Sequence, residues 1–331
     1  MIKTSPKLRK ILSTYGELPT YLPPMPLFIT GCMRSGTTFL ADQLTSHPQL
    51  LKIGDELNTV WTEMGGANCL DKCEYKDENN ADISKYTYNI SHYFINFIHD
   101  SKSLKRHLMR GKNLLERKLG KIFYDWTDII PVNKSTHLIN KTRYVNALFP
   151  GSKFIIIIRD VYAQSSSLKV HFEKAFKKTG KRRYMPDRNK DCWHILNSSD
   201  INPLSFKTFP PHFELIPKMW LRLNQQVFHD LEHLKPKQFK VVSYEDMVLD
   251  QEKIFLELFD FLDLKKSHKK YENNISSRKI LYKNTTTSGN PINKWQTHLT
   301  KEEKEQIEKV IGENQETYDF IRNKTEAMKI K

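Results

Sequence analysis

The chain has 331 residues, with 53 lysines and arginines against 38 aspartates and glutamates, and so a formal net charge of +15 at pH 7. Its length is enough for a large buried core, and the lack of any run of about 18 apolar residues argues against a membrane-spanning helix. The four cysteines lack the spacing of a disulfide framework or a zinc site, so we expect a reducing, cytoplasmic location and no metal.

The excess of positive charge indicates affinity for an anion, such as a nucleic acid, a lipid surface, a sulfated or phosphorylated sugar, or an anionic cofactor. Charge of this kind informs about association and not about a reaction. A non-catalytic polyanion-binding protein is therefore one alternative. This alternative rests on charge alone. We expect no nucleic acid as a partner.

The first predicted elements are a strand over 26–31 and a helix over 36–46, after a proline-containing arm at 1–25. The turn between them contains two glycines and reads GCMRSGTT. A strand, a glycine-containing turn and a helix in this order form a loop whose backbone N–H groups can hold an anion. The candidate anion contacts are Arg34, Ser35, Gly36, Thr37 and Thr38.

Thr37 stands where nucleotide-binding loops of the form GxxxxGK carry a lysine. That lysine normally holds the terminal phosphates of a nucleoside triphosphate. Its absence, with Arg34 inside the loop, favours an anion of lower charge than a triphosphate held with Mg²⁺. A nucleotide-dependent kinase with a P-loop is a second alternative, which Thr37 weakens.

A second buried strand is predicted near 51–56, and it delivers the carboxylates of Asp55 and Glu56 at its carboxyl end. Ligands bind at this end of the strands in parallel α/β sheets. Residues 60–130 read as a helical insertion, because their apolar side chains have helical spacing and they carry many lysines and arginines.

The central strand of the predicted sheet is at 153–159, where four consecutive isoleucines indicate burial on both faces. Arg159 ends this strand, and Ser167 lies on the helix that follows. A basic run then opens a predicted loop over 173–211. Further along, a helix is predicted over 212–234.

The last predicted strand, over 239–243, leads into Tyr244. The order of elements predicts an α/β fold in which a three-layer, P-loop-like parallel sheet is flanked by helices, with the helical insertion beside it. We expect one domain over 1–331. Right-handed crossovers would bring the strand ends to one edge, which would collect Arg34, Glu56, Arg159 and Tyr244.

The chain resembles sulfotransferases that use 3′-phosphoadenosine 5′-phosphosulfate (PAPS). The loop GCMRSGTT is similar to their phosphosulfate loop, and IIIIRDVYAQSSSLK resembles the segment that binds the cofactor's 3′-phosphate. The tract NKSTHLINKTRYVNALFPGSKFIIIIRD aligns without a gap with tyrosylprotein sulfotransferases, and SYEDMVLDQEKIFLELFDFL is similar to the segment near the adenosine site. The resemblance covers about 26–58, 130–170 and 238–300, roughly two fifths of the chain. Three separated motifs in the right order are specific as a set.

The resemblance implies a role for each candidate. Arg34 and Lys134 would stabilise the transferred sulfuryl group, and Arg159 with Ser167 would hold the 3′-phosphate. Tyr244 matches the tyrosine near the adenosine. Glu56 matches the tyrosylprotein branch's catalytic glutamate when one residue is inserted near Leu51, whereas an ungapped alignment selects Asp55, so both carboxylates are candidates for the base.

The stretch SGNPINKW departs from the Arg-Lys-Gly motif of cytosolic sulfotransferases, so cofactor contacts there are not transferred. The resemblance implies transfer from PAPS to a hydroxyl or amine, with adenosine 3′,5′-bisphosphate as the product. The acceptor is open between a carbohydrate, a lipid, a natural product and a protein tyrosine, and the basic charge also leaves an anionic acceptor open. The oligomeric state is not indicated.

Overall fold

The computed structural model describes residues 25–47, 49–67, 74–99, 129–179, 182–184, 194–196, 210, 212–264 and 290–330. The strands in this part of the chain are β1 (Leu27–Gly31), β2 (Leu50–Lys52), β3 (Ile130–Lys134), β4 (Lys153–Ile158), β5 (Arg182–Tyr184), β6 (His194–Leu196) and β7 (Phe239–Ser243). Five of them form one sheet in the order β2-β3-β1-β4-β7, and β5 pairs with β6 in a second sheet. All four pairings in the large sheet are parallel.

The α-helices of the described residues are α1 (Thr37–Leu44), α2 (Asn58–Glu63), α3 (Tyr88–His99), α4 (Thr142–Leu148), α5 (Val161–Thr179), α6 (Leu215–Leu231), α7 (Tyr244–Leu249), α8 (Gln251–Phe261), α9 (Trp295–His298), α10 (Lys301–Glu313) and α11 (Gln315–Met328). A 3₁₀ segment, Thr136–Lys141, connects β3 to α4. A bridge between Val241 and Lys329 places the end of α11 beside β7.

Both faces of the large sheet are buried. Along β4, Phe154, Ile156 and Ile158 belong to one apolar core, and Ile155 and Ile157 belong to the other. Side chains of α1, α7 and α8 cover the second face, and α4, α5, α6, α10 and α11 cover the first. The predicted three-layer α/β fold, with a parallel sheet between helices, is confirmed.

The strand β3 was missed in the sequence, although it lies between β1 and β2. Its five residues, IPVNK, contain a proline and end in two polar residues, so they lack a continuous apolar run. Each of those polar residues is itself buried and has a hydrogen-bond partner, since Asn133 accepts from Trp61 and Lys134 donates to Glu56. The second strand is also shorter than expected, because the chain turns at Gly54 with φ 61°.

The loop predicted over 173–211 is wrong at its beginning. Helix α5 continues to Thr179, and the strands β5 and β6 pair within the same range. Apolar Phe172, which is 1% exposed, anchors this part of α5 to the core despite the lysines that follow it. A run of lysines on the solvent side of a helix resembles a loop when only charge is considered.

Some predictions lie on residues outside the described ranges. They include nearly all of the arm at 1–25 and residues 100–128 of the helical insertion, whose described part contains α2 and α3. In the part of the chain that the structure describes, no helix combines the length and apolar character needed to cross a bilayer.

Candidate active site

The loop between β1 and α1 is held in a strained conformation. Arg34 has φ 72° and Gly36 has φ 103°, both in the left-handed region. A non-glycine residue in that region costs on the order of 1–3 kcal/mol, and such strain concentrates at functional sites. The turn is closed by the Ser35 N–H, which donates to the carbonyl of Cys32 at 3.0 Å.

Helix α1 begins directly after this loop and has no side-chain cap at its first turn. Its first N–H groups, which have no partner within a helix, therefore keep their capacity to bind an anion. The hydroxyl of Ser35 is fully buried and has no hydrogen-bond partner in the described structure. A bound anion would satisfy these donors.

Arg159, at the end of β4, is clamped against the loop. Its guanidinium lies 4.1 Å from the centre of the Tyr244 ring, and its Nη1 donates to the carbonyl of Arg34 at 2.9 Å. The same Tyr244 ring leaves space only for a glycine at position 36, because a Cβ there would lie 2.5 Å from Cδ2. Arg159, Tyr244 and Gly36 therefore form one packed unit.

A second contact joins the loop to α5. The Nε of Arg34 donates to the hydroxyl of Ser167 at 3.4 Å. The structure therefore brings together the two residues predicted for the 3′-phosphate, Arg159 and Ser167, through their shared contacts with Arg34. The Nε of Arg159 is buried and has no partner among the described residues, so the guanidinium retains a donor.

Arg34, Arg159, Ser167 and Tyr244 form the side of the site that the sequence predicts to hold phosphate, which we call the phosphate half. Its two guanidinium groups are closely spaced positive charges. Burial and the neighbouring Arg159 lower the pKa of Arg34, against an opposing effect of Tyr244. Burial lowers the pKa of Arg159, while nearby Tyr244 and Glu245 raise it. A cation whose charged form is disfavoured by burial is stabilised by an anion placed beside it.

Glu56 and Lys134 meet on the other side of the loop. The ammonium of Lys134 donates to Oε1 of Glu56 at 2.8 Å, and its side chain is only 5% exposed. Asp55 points elsewhere, because its side chain is 89% exposed and pairs with Lys52 at 3.3 Å. Of the two candidate carboxylates, Glu56 is the one beside Lys134.

Two further residues at this carboxylate were missed in the sequence, Thr136 and His137. The Thr136 hydroxyl donates to Oε2 of Glu56 at 3.1 Å, and Nε2 of His137 lies 3.8 Å from the same oxygen. The pKa of His137 is lowered by burial, raised by Glu56, and lowered again by Lys141 and Lys134. The net result is a pKa below the usual value for histidine. The only sequence signal for both residues was their position just after Lys134.

Lys294 is the third residue that sequence reasoning missed. Burial, and then the charges of Arg159 and Lys174, lower its pKa. The adjoining Pro291 carbonyl accepts from Nη2 of Arg159 at 3.0 Å. The sequence shows Lys294 just before Trp295, in the stretch SGNPINKW, but it does not show which residues lie near Lys294 in the fold.

These positions follow from the sheet. Each of its five strands brings one candidate to the same edge, so the order across that edge is Glu56, Lys134, the loop at 32–38, Arg159 and Tyr244. The arrangement has a carboxylate–lysine pair on one side of an anion-binding loop and a guanidinium stacked on a tyrosine on the other.

One protein-family model matches this chain. The model of the sulfotransferase family matches residues 26–196, slightly more than half of the chain. No curated protein sequence matches the chain significantly. The likeness to the tyrosylprotein branch rests on the motifs alone and stays a prediction.

Several solved structures are similar in outline. The sulfotransferase domain from the curacin biosynthetic pathway is 16% identical, with 89% of this chain and 99% of that one covered and a TM-score of 0.45. Sulfotransferase STF9 from Mycobacterium avium is 12% identical, with 95% of this chain and 80% of that one covered and a TM-score of 0.48. Mouse sulfotransferase SULT7A1, complexed with PAP, is 11% identical, with 96% of this chain and 93% of that one covered and a TM-score of 0.42.

Proposed function

Because the chain belongs to the sulfotransferase family, we propose that it transfers a sulfuryl group from PAPS to a hydroxyl or amine acceptor. The observation that carries the proposal is the arrangement of Arg34, whose side chain reaches Ser167 and whose carbonyl binds Arg159. Arg34 thereby connects the loop, which we propose for the 5′-phosphate, with Arg159 and Ser167, which we propose for the 3′-phosphate. A nucleotide with phosphates on both its 3′ and 5′ positions fits such a site.

The residues present fit this cofactor. The 5′ side would be held by the backbone N–H groups of 34–38 and by the side chains of Ser35, Thr37 and Thr38. The 3′-phosphate would be held by Arg159 and Ser167, and Lys294 adds a nearby positive charge. When bound, PAPS supplies the activated sulfuryl group on its 5′-phosphate.

Lys134 and Arg34 stabilise negative charge on the sulfuryl oxygens and on the departing 5′-phosphate. Fixed cations in a partly buried site act in this way because they need little rearrangement as charge develops. Lys134 is held by Glu56 before any ligand arrives, so its ammonium is already oriented. As the bond from sulfur to the acceptor forms and the bond from sulfur to the phosphate oxygen breaks, a base must take the acceptor's proton.

Glu56 is our candidate for this base. Its carboxylate is 27% exposed, so an acceptor can approach it, whereas Asp55 faces solvent away from Lys134. Nε2 of His137 lies 3.8 Å from Oε2 of Glu56, which is beyond hydrogen-bond distance, so the imidazole is a polar neighbour of the carboxylate and not its direct partner. Positioned bases contribute on the order of 10²–10⁴ in rate.

The test is the binding of adenosine 3′,5′-bisphosphate, the expected product, measured by thermal shift and calorimetry. A ligand at 100 times its Kd raises stability by about 2.7 kcal/mol, so wild-type protein should melt at a clearly higher temperature. Arg159→Ala should lose this stabilisation. Lys153→Ala, a cation at the opposite end of β4, should keep it.

Incubation with labelled PAPS and acceptor panels would then test the transfer and identify the acceptor. The panels should contain a carbohydrate, a lipid, a natural product and a tyrosine peptide. A wild-type protein that is not stabilised by the bisphosphate would overturn the proposal. Tight binding of ATP with Mg²⁺ in its place would favour the kinase alternative.

A further inference from the structure

The segment at 290–304 lies along α5 and is attached to it at successive points. Nη2 of Arg159, just before the helix, donates to the carbonyl of Pro291 at 3.0 Å. The rings of Trp295 and Tyr162 lie 4.8 Å apart. Further along α5, the ammonium of Lys169 donates to the carbonyl of His298 at 3.0 Å. The segment therefore follows the helix from its start to its middle.

A further attachment is a buried ion pair between Lys169 and Glu303. The two groups are 2.7 Å apart, and their side chains are 9% and 1% exposed. The same oxygen of Glu303 accepts from the N–H of Thr300 at 2.9 Å, which caps α10. A buried ion pair gives little net stability compared with apolar side chains of the same size, so its value here is in fixing a geometry.

The segment that the pair fixes carries Lys294 beside Arg159. Lys294 lies three residues after Pro291, whose carbonyl accepts from Arg159, and one residue before Trp295, whose ring packs on Tyr162. Burial, and then the positive charges of Arg159 and Lys174, lower its pKa. Like charges repel, and the repulsion is stronger in a partly buried site than in water. A loosely attached segment would relieve it by moving Lys294 away from Arg159.

We propose that Lys169 and Glu303 are a positioning pair that holds Lys294 against Arg159 and so completes the pocket for the nucleotide's 3′-phosphate. This inference rests on the proposed function. Neither residue of the pair touches the ligand. Lys169 and Tyr162 are seven residues apart and share one face of α5, whereas Ser167 lies on another face and reaches Arg34.

The test compares two ligands that differ only in the 3′-phosphate, adenosine 3′,5′-bisphosphate and 5′-AMP. Their Kd values are measured by calorimetry for wild type and for the double variant Lys169→Met with Glu303→Gln. The double variant removes both charges, so neither is left buried alone, and the glutamine can still accept from Thr300. We expect the preference for the bisphosphate to fall by about tenfold, with 5′-AMP affinity nearly unchanged.

The matched control is Lys153→Met with Asp263→Asn, which removes a lysine–carboxylate pair of 2.6 Å that lies on the surface. It should keep the wild-type preference. General destabilisation weakens both ligands equally, so the ratio of the two Kd values separates positioning from a structural role.

An unchanged ratio in the Lys169/Glu303 double variant would overturn the inference and leave the proposed function intact. A wild-type protein that binds the two ligands equally would overturn the proposed function itself, and the inference with it.

Discussion

The ammonium of Lys134 lies 2.8 Å from Oε1 of Glu56, a contact between residues 78 positions apart in the chain. It joins the region after β2 to the end of β3, and these two strands are neighbours in the sheet. The phosphate half of the site lies across the loop, at the ends of β4 and β7. In the proposed function, proton removal and nucleotide binding therefore fall on opposite sides of the loop, and each can be tested by itself.

Replacement of Glu56 by glutamine should reduce turnover by about 10²–10⁴-fold, because the amide cannot accept the acceptor's proton. Affinity for the bisphosphate should change little, since Glu56 lies on the other side of the loop. The measurement is kcat beside the Kd of the bisphosphate. Asp55→Asn is the control, and full turnover in Glu56→Gln with loss in Asp55→Asn would identify Asp55 as the base.

Replacement of Tyr244 by leucine should weaken bisphosphate binding by about threefold to thirtyfold, because the ring that supports the Arg159 guanidinium at 4.1 Å is lost. Tyr244→Phe keeps the ring and should bind almost as the wild type does. Calorimetric Kd values of both variants check this. Equal losses in the two would show that the hydroxyl, and not the ring, matters.

Replacement of Gly36 by alanine should abolish bisphosphate binding and lower the free energy of unfolding. The new Cβ would lie 2.5 Å from Cδ2 of Tyr244, and φ 103° is strained for alanine. Gly151→Ala is matched for backbone strain, since Gly151 has φ 95° with nothing within 4 Å of its Cβ position. Denaturant unfolding and ligand binding should therefore show a larger loss at position 36. Equal losses would mean that strain alone accounts for the effect.

The stability of the protein should depend on pH through Asp230, on α6. Burial raises the pKa of this carboxyl from 3.8 to about 6, against the hydrogen bonds from Gln226, Arg143 and Tyr75. Between these two values the folded state binds more protons than the unfolded state, so this group lowers stability as pH rises from about 4 to about 6.

The measurement is the free energy of unfolding of wild type and Asp230→Asn from pH 4 to 7. Relative to the variant, wild type should lose up to about 3 kcal/mol over this range. Parallel curves for the two proteins would contradict the prediction.

The sequence predicts much of the architecture, because apolar runs and glycine-containing turns are recognisable from a few neighbouring residues. The four isoleucines before Arg159 indicated a strand buried on both faces, and the turn from Gly31 to Gly36 indicated an anion-binding loop. Strand β3 was not recognised, because IPVNK becomes a strand only through its pairing with β1 and β2. The charge of the lysines after Phe172 predicts a loop, whereas in the structure they lie on a continuation of α5.

The sequence by itself determined the class of fold, the loop and the edge at which the candidate residues meet, since hydrophobic runs and turns act over a few neighbouring residues. Only the tertiary structure decided which side chains meet there. Glu56 rather than Asp55 faces Lys134, His137 joins them, and Lys169 pairs with Glu303 across 134 positions. Such contacts depend on how distant segments pack, and no local pattern encodes them.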